Sequence, residues 1–152
     1  MKIPLCLIIS GALILASVSC KKTLTVDEVL ASHHGGITSH HNGLACIQCH
    51  ANGSDAPAWA VAGSVYKNNS DSISSDGTIF LYSGPGGSAY LIGTIEVDGK
   101  GNFFTSASLM PAGGAYPQIK GKSGDIQNML TTTNSGNCNL CHGNTAPRIW
   151  VN

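Results

Sequence analysis

The chain has 152 residues, 42% hydrophobic and 11% charged, with eight basic residues against eight acidic ones and so no net charge at pH 7. That length allows one ordinary domain and excludes two large ones. The only basic doublet, Lys21-Lys22, sits near the N-terminus, so the charge pattern excludes an electrostatic footprint for nucleic acid.

The chain opens with MKIPLCLIISGALILASVSC: one positive charge at Lys2, an apolar run from Ile3 to Val18, then small residues ending at Cys20. This predicts a secretory signal over residues 1–19. The run is short for a membrane span, which needs roughly 20 apolar residues. Ser17-Val18-Ser19-Cys20 resembles the lipobox of bacterial lipoproteins, although Ser17 stands where that family prefers leucine. The resemblance implies acylation of Cys20 and a lipid anchor that holds a soluble domain on a membrane surface. Lys21 follows Cys20, where an aspartate would signal retention at the inner membrane, so the resemblance implies an outer-membrane location, on its periplasmic or extracellular face.

Thr25-Val26-Asp27-Glu28 reads as a capping box. Val26, Val29, Leu30 and His33 fall at i, i+3, i+4 and i+7, which predicts a short helix closed by Gly35-Gly36, with His33 on its apolar stripe and His34 at the edge.

Of six cysteines, Cys6 lies in the signal and Cys20 at its end. The other four form two pentads, Cys46-Ile47-Gln48-Cys49-His50 and Cys138-Asn139-Leu140-Cys141-His142, and none is left for a disulfide framework. Cys-x-x-Cys-His is the attachment signature of c-type haem. Two thiols at this spacing reach the two vinyl groups of one porphyrin, and the next residue supplies the proximal imidazole. The expected cofactors are therefore two covalent haems c, one held by Cys46, Cys49 and His50 and the other by Cys138, Cys141 and His142. A Cys₄ zinc site would place its pairs closer in sequence, about 15–20 residues apart. A thioredoxin-like pair would lie beside a βαβ unit, and none surrounds either pentad. With six histidines in 152 residues, chance alone would put one after both pairs only about once in 600.

Each iron needs a sixth ligand or an open position. The candidates are His33, His34, His40 and His41, all upstream of the first pentad, and Met110 and Met129. His41-Asn42-Gly43-Leu44-Ala45-Cys46 looks like the small bis-histidine multihaem cytochromes c, in which histidines shortly before a CxxCH ligate that haem or its neighbour. The resemblance implies one ligand from each pair, with His33 and His41 preferred over His34 and His40, and bis-histidine coordination of both haems. Met129 is the alternative ligand of the second haem.

From Trp59 to about Leu130 the period becomes two. WAVAGSVY, GTIFLYSG, AYLIGTIEVDG, GNFFTSASL and YPQIKGK are short strands separated by turn formers, among them Gly84-Pro85-Gly86-Gly87 and Asp98-Gly99-Lys100-Gly101-Asn102. They predict a mainly β fold, a small antiparallel sandwich flanked by short helical or loop segments. VAGSVY…GTIFLYS…GTIEVDGKGNFFTSASL resembles immunoglobulin-like folds of the carboxypeptidase-regulatory type. The expected organisation is a signal at 1–19, a first haem-binding segment at 20–57, the sandwich at 58–130 and a second haem-binding segment at 131–152. Asp71, Asp76, Glu96 and Asp98 read as solvated turn or strand residues, and the sandwich carries no constellation of an active site.

These observations lead to an expected dihaem cytochrome, an electron carrier and not an enzyme, that passes single electrons between redox partner proteins at the cell envelope, other multihaem cytochromes among them. Two alternatives stay open: a haem enzyme or gas sensor with one five-coordinate iron, and a subunit of a larger multihaem conduit or filament.

Overall fold

The computed structural model describes residues 29–68 and 70–152. The expected signal, Cys20 and the capping box at 25–28 lie outside the described residues. Seven strands follow in chain order: β1 (Val61–Lys67), β2 (Thr78–Tyr82), β3 (Leu91–Glu96), β4 (Asn102–Thr105), β5 (Tyr116–Lys120), β6 (Ile126–Asn128) and β7 (Ile149–Val151). They form two sheets, one ordered β4-β1-β7 and the other β3-β2-β5-β6. The four-stranded sheet is antiparallel throughout. In the smaller sheet β4 runs antiparallel to β1 and β7 runs parallel to it.

The alternation of β2 explains the packing. Ile79 and Leu81 point inward and are buried, while Thr78, Phe80 and Tyr82 are half-exposed. They meet Val61 and Val65 of β1, Ile95 of β3, Phe103 of β4 and Val151 of β7 in one core. Burying an aliphatic side chain of this size contributes about 1.5–3 kcal/mol. The sandwich and its five predicted strands are thus present.

Two features differ from expectation. No helix crosses residues 29–36; Ala31 instead bridges to Thr105 beside β4. The Ser32 amide donates to the Phe104 carbonyl at 2.9 Å and the Ser32 hydroxyl accepts from the Phe104 amide at 2.9 Å, while the Ser106 amide donates to the Leu30 carbonyl at 2.8 Å. Unpaired edge groups of β4 offer partners that a marginal helical stripe cannot match. The second difference concerns the 131–152 segment, which re-enters the sandwich: β7 lies within it and pairs with β1 from Val65 to Lys67. The only helical pieces among the described residues are single 3₁₀ turns, two of them at Cys46–Gln48 and Cys138–Leu140.

Of the acidic residues expected in solvent, Asp98 is buried at 2% exposure. Its carboxylate accepts from the amides of Lys100 at 2.9 Å and Asn102 at 3.0 Å and so holds the β3–β4 turn. Asp76 accepts from the Gly35 amide and Glu96 from the His34 amide, tying the histidine-bearing segment to the sandwich.

Six of the seven residues of β1 are buried, because both of its faces are covered. Core side chains cover one face. The two cysteine–histidine turns both pack against this strand, and Cys138 meets the core beside Gly63.

Candidate functional site

The two pentads are built alike. Each begins with a 3₁₀ turn in which the amide of the histidine donates to the carbonyl of the first cysteine, at 2.9 Å for His50 to Cys46 and 3.0 Å for His142 to Cys138. The turn brings the pentad's two sulfurs to one side of the chain and carries the imidazole just past them. The match extends beyond the pentad. His50 Nδ1 lies 2.7 Å from the Pro57 carbonyl oxygen and His142 Nδ1 lies 2.6 Å from that of Pro147. A carbonyl oxygen only accepts, so each Nδ1 carries the hydrogen and each Nε2 keeps its lone pair. This is the arrangement that orients a metal-ligating imidazole and raises its basicity.

Each pentad opens into its own apolar cavity. The first, of about 360 Å³, is bounded by Cys46, Cys49 and His50 with Leu44, Trp59 and Phe104. Trp59 stacks on His50 with ring centres 5.0 Å apart and meets Phe104 at 4.6 Å. The second, of about 340 Å³, is bounded by Cys138, Cys141 and His142 with Val61, Leu81 and Ile149. Both volumes fall in the range of ligand pockets, and flat aromatic and aliphatic walls suit a porphyrin face. Burial pushes the Cys138 thiol up to about 12, with the charge of nearby Cys46 adding to the rise; burial likewise raises Cys46. The first cysteine of each pair is thus a neutral thiol set into the wall, while Cys49 and Cys141 are exposed. Two thiols and one free Nε2 beside an apolar slot fit haem c at both places.

No protein-family model, curated protein or solved structure matches the chain. The reading of the site therefore rests on its own geometry.

The four upstream histidines divide sharply. His34 is engaged elsewhere: its Nε2 donates to the Gly77 carbonyl at 3.0 Å, and its Nδ1 lies 3.8 Å from a Glu96 carboxylate oxygen. His33, His40 and His41 all border the first cavity, and none borders the second. The His33 Nδ1 hydrogen goes to the His34 carbonyl at 3.1 Å, which leaves its Nε2 free. His40 has its ring centre 5.8 Å from that of His50, with the planes inclined by 34°. Metal–imidazole bonds of about 2.0 Å, with the ring centre about 1 Å beyond each nitrogen, put two rings on opposite sides of one metal roughly 6 Å apart. His40, the residue the sequence ranks behind its neighbour, thus has the spacing of a ligand pair with His50. His41 adopts the left-handed conformation, φ 54°, and touches His40 edge to face at 4.9 Å.

The cavities adjoin. Phe103 belongs to the wall of both and is 1% exposed. Behind them lies a buried polar knot that sequence patterning does not reveal. The Ser64 hydroxyl donates to Asn102 Oδ1 at 2.6 Å and accepts from the Gly43 amide and from Asn139 Nδ2. Asn139, one of the two intervening residues of the second pentad, also donates to the Leu44 carbonyl at 2.9 Å. That same carbonyl accepts from the Cys46 thiol at 3.3 Å. Asn102 Nδ2 in turn donates to the Ser39 hydroxyl at 3.0 Å, next to His40. One network therefore fixes the histidine loop, the first pentad and the second pentad together. Asn139→Ala removes the acceptor of the buried Ser64 amide, at 3.1 Å, along with the donor to the Ser64 hydroxyl, and should cost about 1–3 kcal/mol. Chemical denaturation of the protein checks this, and an unchanged midpoint would contradict the network's role.

Sequence reasoning missed the carbonyls that hold the imidazoles; the Ala-Pro that follows each pentad, Ala56-Pro57 and Ala146-Pro147, is a signal that could have found them.

Proposed function

We propose that this chain is a dihaem c-type cytochrome that passes single electrons at the bacterial cell envelope, exported by its N-terminal signal and held to the membrane through an acylated Cys20. The observation that carries the reading is the doubled construction: two pentads, each with its Nδ1 hydrogen committed to a proline carbonyl, each facing an apolar cavity of similar size. Coincidence of sequence explains two motifs more easily than it explains two matching sites.

Bound there, haem c supplies a metal that gains and loses one electron at a time. The chain's own residues do the rest. Cys46 with Cys49, and Cys138 with Cys141, would hold the group covalently, while His50 and His142 would present it an oriented nitrogen. Trp59, Phe104 and the aliphatic walls exclude water, and His40 would supply the first group with a second imidazole beside that of His50. A closed shell leaves no position for a substrate, which suits transfer and not catalysis. Phe103 and the Leu44 carbonyl join the two sites, so the pair forms a short relay within one chain. Redox partner proteins, other multihaem cytochromes included, would supply and remove the electrons.

His40 separates this reading from one of catalysis at the first site. In protein produced by a host that matures c-type haem, the first haem should ignore carbon monoxide, His40→Ala should make it bind the gas, and His33→Ala and His41→Ala should not. Indifference of the His40→Ala protein would show that another residue fills the position.

A further inference from the structure

The second cavity holds no imidazole besides His142. The other histidines of the mature chain are accounted for: His50 belongs to the first pentad, His33, His40 and His41 border the first cavity, and His34 is bound to Gly77 and Glu96. What the second cavity does hold, beside Cys138, Cys141 and His142, is two thioethers, Met110 and Met129. Their surroundings differ. Met110 packs against the hydrophobic core, where an unbranched thioether serves as filler. Met129 is not part of that packing. It follows edge strand β6, half-buried, and its amide donates to the Pro117 carbonyl at 2.9 Å, which fixes the backbone where the side chain borders the cavity.

From this we infer that Met129 would supply the second protein ligand of the group held by His142, so that the two sites of the chain are chemically unequal; the inference rests on the dihaem reading. Thioether sulfur is a weaker donor than imidazole and favours the reduced metal, so a His/Met site lies at higher potential than a bis-histidine site in the same protein. The first site, with His40 and His50, is then the low-potential member and the second the high-potential member. Electrons entering at the first site settle at the second, beside the sheet edge formed by β6. The relay has a direction.

The test uses the mature wild-type protein with Met129→Leu, Met129→His and Met110→Leu, each examined by oxidised and reduced absorption spectra, carbon monoxide addition and redox titration. The expected wild type shows two covalent haems, a sulfur-to-iron charge-transfer band in the oxidised form, and two separated potentials. Met129→Leu should lose the band and expose one haem to carbon monoxide. Met129→His should close that haem again at a lowered potential, and Met110→Leu should keep the band. A band that survives Met129→Leu, or a wild type with two haems and no sulfur signal, overturns the assignment while leaving the dihaem reading intact. A protein without covalent haem overturns both.

Discussion

Replacing Cys46 and Cys49 together by alanine should halve the covalent haem per chain and leave the second site's spectrum in place; replacing Cys138 and Cys141 should do the reverse. The expectation follows from two self-contained turns, each with its own proline-held histidine and its own cavity. Haem stoichiometry from the reduced spectrum in alkaline pyridine, set against intact mass, is the readout. Loss of both haems from either double variant would mean that the sites cannot be filled separately. That outcome would follow if the Ser64, Asn102 and Asn139 network that joins the turns formed only when both are occupied. A haem count unchanged by either variant would contradict the assignment of the thiols altogether.

The second large effect is expected at Gly63, on β1 opposite Phe103 in the strand register. A Cβ built there would stand 2.5 Å from the Phe103 ring and 3.0 Å from the Cys138 Cβ. The strand normally gains from exchanging glycine for a residue with a side chain. Here the exchange should destabilise, because Phe103 is fully buried and Cys138 is fixed in its turn. Overpacking of this kind costs about 1–3 kcal/mol for Gly63→Ala, and Gly63→Val should cost more. The converse change, Phe103→Ala, opens a void between the cavities and should cost about 3–5 kcal/mol. Denaturant midpoints of the variant proteins measure both. Stability unchanged or raised in Gly63→Ala would show that the ring does not stand against β1.

These two positions also mark how far the sequence could be read. The two pentads were legible as a repeated unit because a fixed spacing of Cys, Cys and His survives in a string of letters, and both copies fold into the same 3₁₀ turn. The five strands from Trp59 to Lys120 were legible because Ile79, Leu81 and their counterparts alternate with half-exposed neighbours. Strand β7 was not: Ile149-Trp150-Val151 is three residues long, and only its parallel pairing with Tyr66 and its neighbours makes it a strand. Residues 29–36 misled because Val29, Leu30 and His33 suit a helical stripe, whereas the Ser32 hydroxyl and amide complete an edge of β4. Asp98 passed for a surface acid because a turn-holding carboxylate and a solvated one share the same sequence context.

The division of the histidines lay beyond sequence reasoning for a related reason. Sequence pattern ranks His33 and His41 ahead of His34 and His40, but His33 through a helical stripe that the chain does not form. Their roles separate only once Gly77 and Glu96 from the distant sheet take His34, and once Asn102 fixes Ser39 beside His40. The same long-range placement brings Cys46 and Cys138, far apart in the chain, close enough that Cys46 adds to the burial that holds the Cys138 thiol neutral. Adjacent cavities sharing Phe103 are a property of topology, not of motif.

The most direct test of the central claim is the intact mass and absorption spectrum of the wild-type chain after maturation in a host that attaches c-type haem. The account predicts a mass increased by two haems, retained through denaturation, with sharp low-spin bands on reduction. A chain that leaves the same host without covalent haem, its four pentad cysteines titrating as free thiols or holding zinc, would contradict it.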